Sequence, residues 1–164
     1  MNPIEPSENK IKELISLFDK KKFDQLLKLS NELIDEFPKS ILLQNIQGVL
    51  HTELKNYELA KNLFIRVVNL NPNYTDGYYN LANVYNKLDE KEKAIESYNK
   101  VIELDINYFK AHNNLGNIYR KKGLNKRAIK CYISTLEINS NYKVAYYNLA
   151  GVLQFYILDE ENIN

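Results

Sequence analysis

Tryptophan is absent from the 164 residues, and a single cysteine, Cys131, is present. One thiol can make neither an internal disulfide nor a cysteine metal cluster. Charge of either sign is also not in excess: 22 Lys and Arg face 21 Asp and Glu. A chain so balanced has no global field to draw it non-specifically to nucleic acid or to an anionic membrane. Long apolar runs are missing. The opening stretch MNPIEPSENKIKELISLFDK lacks the apolar core of a signal peptide, and nothing later is long enough to span a bilayer. The expected location is therefore cytoplasmic. The five glycines, Gly48, Gly77, Gly116, Gly123 and Gly151, form no phosphate-cradling loop.

What is present is a repeat. Residues 75–108, TDGYYNLANVYNKLDEKEKAIESYNKVIELDINY, fall on residues 109–142 when shifted by 34 positions, and on residues 41–74 when shifted back by the same amount. A fixed period of that length with two amphipathic segments per unit predicts stacked helix-turn-helix units. An apolar content of 45% with 26% charged residues suits a folded chain.

In order along the chain, residues 1–6 hold two prolines and read as a flexible lead-in. Residues 7–40 form a degenerate first unit, with Ile11, Leu14, Ile15 and Phe18 and then Phe23, Leu26, Leu27 and Leu33 at helical spacing. Full units follow at 41–74, 75–108 and 109–142, then a half unit at 143–158 and an acidic tail at 159–164. Pro38 and Pro72 stand one period apart, where a proline ends a second helix. Small residues recur on the first helix (Gly48, Ala82, Gly116, Ala150) beside large ones on the second (Phe64, Tyr98, Tyr132). Small against large is how antiparallel helices interdigitate at close spacing.

These residues resemble the tetratricopeptide repeat family, over roughly Ser7 to Leu158. Departures are Gln44, Tyr78, His112 and Tyr146 at the fourth position, often Trp in the family, and Ile106 and Ser140 in place of the closing proline. The resemblance implies an all-α fold, a right-handed α-solenoid whose first helices line a concave face. It also implies a non-catalytic scaffold for protein–protein interaction. Groove-facing positions of the first helices then include Asp76, Tyr79, Asn80, Asn83 and Lys87 in one unit. The next offers Lys110, Asn113, Asn114, Asn117, Arg120 and Lys121, and the last Tyr147, Asn148 and Phe155.

Asn80, Asn114 and Asn148 lie one period apart. Asparagine is a mediocre helix former, so three at one position are not explained by propensity. An amide carries both a donor and an acceptor, the pair needed to grip a peptide backbone. The set resembles the asparagine ladder of the O-linked N-acetylglucosamine transferase superhelix, which holds extended peptides. The other reading is that these amides are solvated or bridge to the neighbouring repeat. The expected ligand is an extended, partly acidic segment of a protein or peptide partner, with Tyr79, Tyr147 and Phe155 as anchors and Lys87, Arg120 and Lys121 facing its carboxylates. A two-carboxylate clamp known in the family is only partly matched, by Asn45 and Val49, Asn80, and Lys110 with Asn114.

No catalytic constellation, metal site or cofactor motif stands out. His51 falls at a core-facing position, His112 where neighbouring units have Tyr, and Cys131 on a flank of its helix. The basic residues Arg120, Lys121, Lys122, Lys126, Arg127 and Lys130 read as a solvated charge run, and neither nucleic acid nor membrane is an expected partner. The half unit leaves Val152, Leu153, Tyr156, Ile157 and Leu158 partly uncovered, a surface for self-association or for a partner. The alternative reading is the substrate-recruiting arm of a larger enzyme of glycosyltransferase, sulfotransferase or dioxygenase type.

Overall fold

The computed structural model describes the backbone of residues 5–161 and the side chains of residues 5–155. Among the described residues there are nine helices and no strand. They are α1 (Glu8–Asp19), α2 (Phe23–Glu36), α3 (Ile41–Glu53), α4 (Tyr57–Leu70), α5 (Thr75–Lys87), α6 (Lys91–Leu104), α7 (Phe109–Lys121), α8 (Asn125–Ile138) and α9 (Lys143–Glu161). The starts of α3, α5, α7 and α9 follow the 34-residue period read from the sequence. Backbone continuity carries α9 through Asp159 to Glu161, into the segment expected to be an acidic tail.

Each tight turn between paired helices uses one residue in the left-handed region: Lys21, Lys55, Asp89 and Gly123, with φ of 54°, 61°, 63° and 73°. Only the last is glycine, which adopts that region freely. Helix packing therefore imposes the turn on Lys21 and Lys55, which disfavour it, and on Asp89, which accepts it more readily. Between units a different device operates. Asn71 Oδ1 accepts from Asn73 N–H, Asp105 Oδ1 from Asn107 N–H, and Asn139 Oδ1 from Asn141 N–H. This side-chain turn stops α6 and α8 at the same place as α4, although Ile106 and Ser140 replace proline there.

Two compact units divide the chain, Met1–Asp89 and Glu90–Asn164. In the first, Leu14, Leu26, Leu33, Leu43 and Leu50 form one buried cluster and Ala60, Phe64, Val68, Leu81 and Val84 another. In the second, Ala128, Tyr132 and Val152 pack together, with Tyr119, Ile129 and Leu149 against them. The small-against-large pairing holds within each. A Cβ on Gly48 would lie 2.5 Å from Phe64 Cε1, and one on Gly116 would lie 2.7 Å from Tyr132 Cε1.

Two expectations are corrected. Glu5 and Pro6 are not part of a free lead-in: Pro6 is buried, and the Glu5 carboxylate accepts from Ser40 Oγ and from Ile41 N–H, the latter at 3.2 Å. Val152, expected to be partly uncovered, is 1% exposed because α8 lies over it. Tyr146 and Tyr147 are both exposed on α9. Leu153 is exposed as anticipated, while the side chains of Tyr156, Ile157 and Leu158 lie outside the described residues.

Candidate functional site

First helices of successive repeats neighbour one another within each unit, α3 with α5 and α7 with α9. On those faces the asparagines are bonded to each other. Asn80 Nδ2 donates to Asn45 Oδ1 at 3.1 Å, and Asn148 Nδ2 donates to Asn113 Oδ1 at 3.1 Å. The same contact thus occurs in both units at the same sequence separation of 35 residues. In the second unit the chain continues: Asn113 Nδ2 donates to Asn114 Oδ1, and Asn114 Nδ2 to the Tyr98 hydroxyl, each at 3.3 Å.

This corrects the simple ladder. Asn113, expected to face the groove, is buried and serves as an acceptor. Asn117 also turns inward, its Oδ1 accepting from the Tyr132 hydroxyl at 2.8 Å. Buried polar groups are costly unless bonded, so the amides nearest the helix–helix contact pair with each other first. Asn80 and Asn148 remain half-buried, and each uses one N–H in the contact with its neighbour. Their carbonyl oxygens have no hydrogen-bond partner among the described residues.

Asp76, Tyr79 and Asn83 are engaged in contacts of their own on α5, and Lys87 and Lys110 are exposed. Arg120, Lys121 and Phe155, spread over 36 positions in the sequence, are brought together. With Gly123, Asn125 and Val152 they line a cavity of about 440 Å³ between the C-terminal end of α7, the start of α8 and the middle of α9. Two cations over an apolar floor suit a carboxylate borne next to an apolar group. Tyr147 stands 79% exposed on α9. The basic run is not wholly solvated: Lys122 pairs with Glu92, and Arg127 lies 5.7 Å from the centre of the Tyr119 ring.

One feature of the same faces escaped the sequence reading. Leu14, Ile15 and Phe18 of α1 with Asn45, Ile46 and Val49 of α3 line a cavity of about 150 Å³ whose walls are almost wholly apolar. Extending the groove positions of the later repeats back to units 7–40 and 41–74 would have found Ile15, Phe18, Asn45, Ile46 and Val49. Elsewhere, burial pushes the Cys131 thiol up to about 11 and lowers the His51 imidazole. His112 Nε2 lies 3.0 Å from the Ile106 carbonyl oxygen. Among the described residues no group of three or more His, Cys, Asp or Glu could hold a metal ion, and no helix is long and apolar enough to cross a membrane.

Models of the tetratricopeptide repeat match residues 43–74, 63–96, 83–123 and 109–142. Among curated proteins none matches the sequence. Solved structures do match in fold. A crystal structure of the MamA protein is 21% identical with a TM-score of 0.82, over 94% of this chain and 84% of that one. YrrB, described as a TPR protein with an unusual peptide-binding site, is 17% identical with a TM-score of 0.75, over 92% and 78% of the two chains. The first TPR domain of Spaghetti (RPAP3), bound to the HSP90 peptide SRMEEVD, is 21% identical with a TM-score of 0.69, over 71% and 93%.

Proposed function

Because the chain belongs to the tetratricopeptide repeat family, we propose that it is a non-catalytic interaction scaffold. It binds an extended, partly acidic segment of a protein or peptide along the faces of its first helices. The observation that carries this reading is the repeated amide contact, Asn80 on Asn45 and Asn148 on Asn113. Each contact fixes an amide in place before any ligand arrives, so its ordering cost falls on folding rather than on binding. Asn80 and Asn148 then offer a carbonyl oxygen and an N–H to a peptide backbone, which presents the matching donor and acceptor. Arg120 and Lys121 supply the preference for acidic residues, with Phe155 as the apolar surface beside them. The HSP90 peptide on the Spaghetti (RPAP3) domain and the peptide-binding site described for YrrB support a peptide as the class of partner.

A peptide array identifies binding sequences, and titration calorimetry then compares Asn80→Ala/Asn148→Ala with the parent protein. A net hydrogen bond is worth about 0.5–1.5 kcal/mol, so losing one at each asparagine is expected to weaken binding about 5- to 150-fold. Unchanged affinity in a variant with a normal circular dichroism spectrum would sink the reading.

A further inference from the structure

We infer that the first two repeats carry a socket for one apolar side chain of the bound segment, of the size of Leu, Ile or Phe, seated between α1 and α3. The inference rests on the peptide reading above. Every lining residue, Leu14, Ile15 and Phe18 on one side and Asn45, Ile46 and Val49 on the other, comes from a first helix. The socket therefore lies on the helices that carry the Asn45–Asn80 contact, and Asn45 belongs to both features.

Its composition is not explained by core packing alone. Ile15 is 50% exposed at the rim. In unit 75–108 the positions equivalent to Ile46 and Ile15 hold Asn80 and Asn83. Polar residues are thus acceptable at these places in the repeat, yet Ile46 fills the first in unit 41–74, and Ile15 and Val49 fill the second in units 7–40 and 41–74.

Volume and polarity select the occupant. A cavity near 150 Å³ with aliphatic and aromatic walls admits a benzene-sized group, whereas a water needs about two to four polar partners. Asn45, the one polar side chain in the lining, already has its Oδ1 engaged by Asn80. An extended segment turns successive side chains to opposite sides. A residue next to one held by its backbone at Asn80 can therefore direct its side chain inward.

The first arm of the test uses toluene as probe, titrated into methyl-labelled protein and followed by NMR. Saturable shifts confined to the Leu14, Ile15, Ile46 and Val49 methyls are expected, and they should disappear in Val49→Phe, which fills the space. Ile15→Asp, at a half-exposed site whose equivalent in unit 75–108 is the polar Asn83, keeps the test informative if Val49→Phe folds poorly, and it should abolish the shifts too. The second arm uses peptides selected on the array. Replacing one Leu, Ile or Phe of the peptide by Ala should weaken binding to the parent protein about 10- to 150-fold, the range for burying one such side chain. The same replacement should have little effect on binding to Ile15→Asp. Absence of saturable shifts, or selected peptides with no apolar preference, overturns the socket. An apolar preference that persists while Asn80→Ala leaves affinity untouched keeps the socket and sinks the amide reading instead.

Discussion

Replacing Gly48 by alanine sets two effects of opposite sign against each other. In a helix interior, alanine in place of glycine favours the fold by about 1 kcal/mol. At position 48 the added carbon would lie 2.5 Å from Phe64 Cε1 and 2.7 Å from Cζ, well inside an ordinary contact of about 3.5–4.0 Å. The ring cannot easily yield, because Phe64 is 1% exposed and packs with Ala60, Val68, Leu81 and Val84. Overpacking of a close-packed interior costs about 1–3 kcal/mol, and a clash this deep belongs in the upper part of that range. Gly48→Ala is therefore expected to be destabilising by about 1–2 kcal/mol net. Gly151 provides the contrast. The nearest atom to a Cβ there is Arg120 Nη1 at 3.8 Å, ordinary contact, so Gly151→Ala should gain the full propensity effect of about 1 kcal/mol. Urea denaturation followed by circular dichroism measures both. A Gly48→Ala midpoint raised as much as that of Gly151→Ala would refute the close-approach argument. Trimming the ring should restore tolerance, so Gly48→Ala in a Phe64→Leu background ought to cost less than it does alone.

Two further expectations concern pH and association. Burial raises the Cys131 thiol from 9.0 to about 11 and the Tyr132 hydroxyl from 10.0 to about 12. The unfolded chain releases these protons first, so the stabilising contribution is complete below about pH 9 and is lost as pH rises through 11 and 12. Urea midpoints that stay level from pH 8 to 11 would contradict this. On α9, Tyr147 and Phe155 are 79% and 69% exposed, and apolar surface of that kind favours contact with another protein or a second copy. Light scattering should show mass rising with concentration, less so in Tyr147→Lys/Phe155→Lys; a strict monomer throughout would remove the self-association reading.

The starts of the first helices from the second unit onward were legible because they repeat, whereas the end of α9, which runs on to Glu161, was not. The starts at Ile41, Thr75, Phe109 and Lys143 needed only the 34-residue period. The Gly48–Phe64 and Gly116–Tyr132 contacts were legible for the same reason, since both partners lie in one hairpin. What the sequence could not resolve was how amides choose partners between hairpins. Asn80 and Asn148 stand at the same repeat position as Asn114, yet the first two donate to an asparagine and Asn114 donates to Tyr98. The residue 35 positions earlier is Asn45 for Asn80 and Asn113 for Asn148 but Tyr79 for Asn114, so equal repeat positions do not meet equal partners. Gly123 marks its turn by composition, whereas Lys21, Lys55 and Asp89 adopt the same φ sign with no such mark.

Glu5 has a consequence of its own. Its carboxylate, lying ahead of α1, accepts from Ser40 Oγ and Ile41 N–H, while Ser40 Oγ in turn accepts from Leu43 N–H. The opening turn of the third helix is thereby closed by a residue that belongs to none of the helices. A polypeptide trimmed to begin at Glu8 would retain every helical residue and still lose an N-terminal anion worth about 0.5–2 kcal/mol. The folded boundary on that side is set by a side-chain charge rather than by where secondary structure starts.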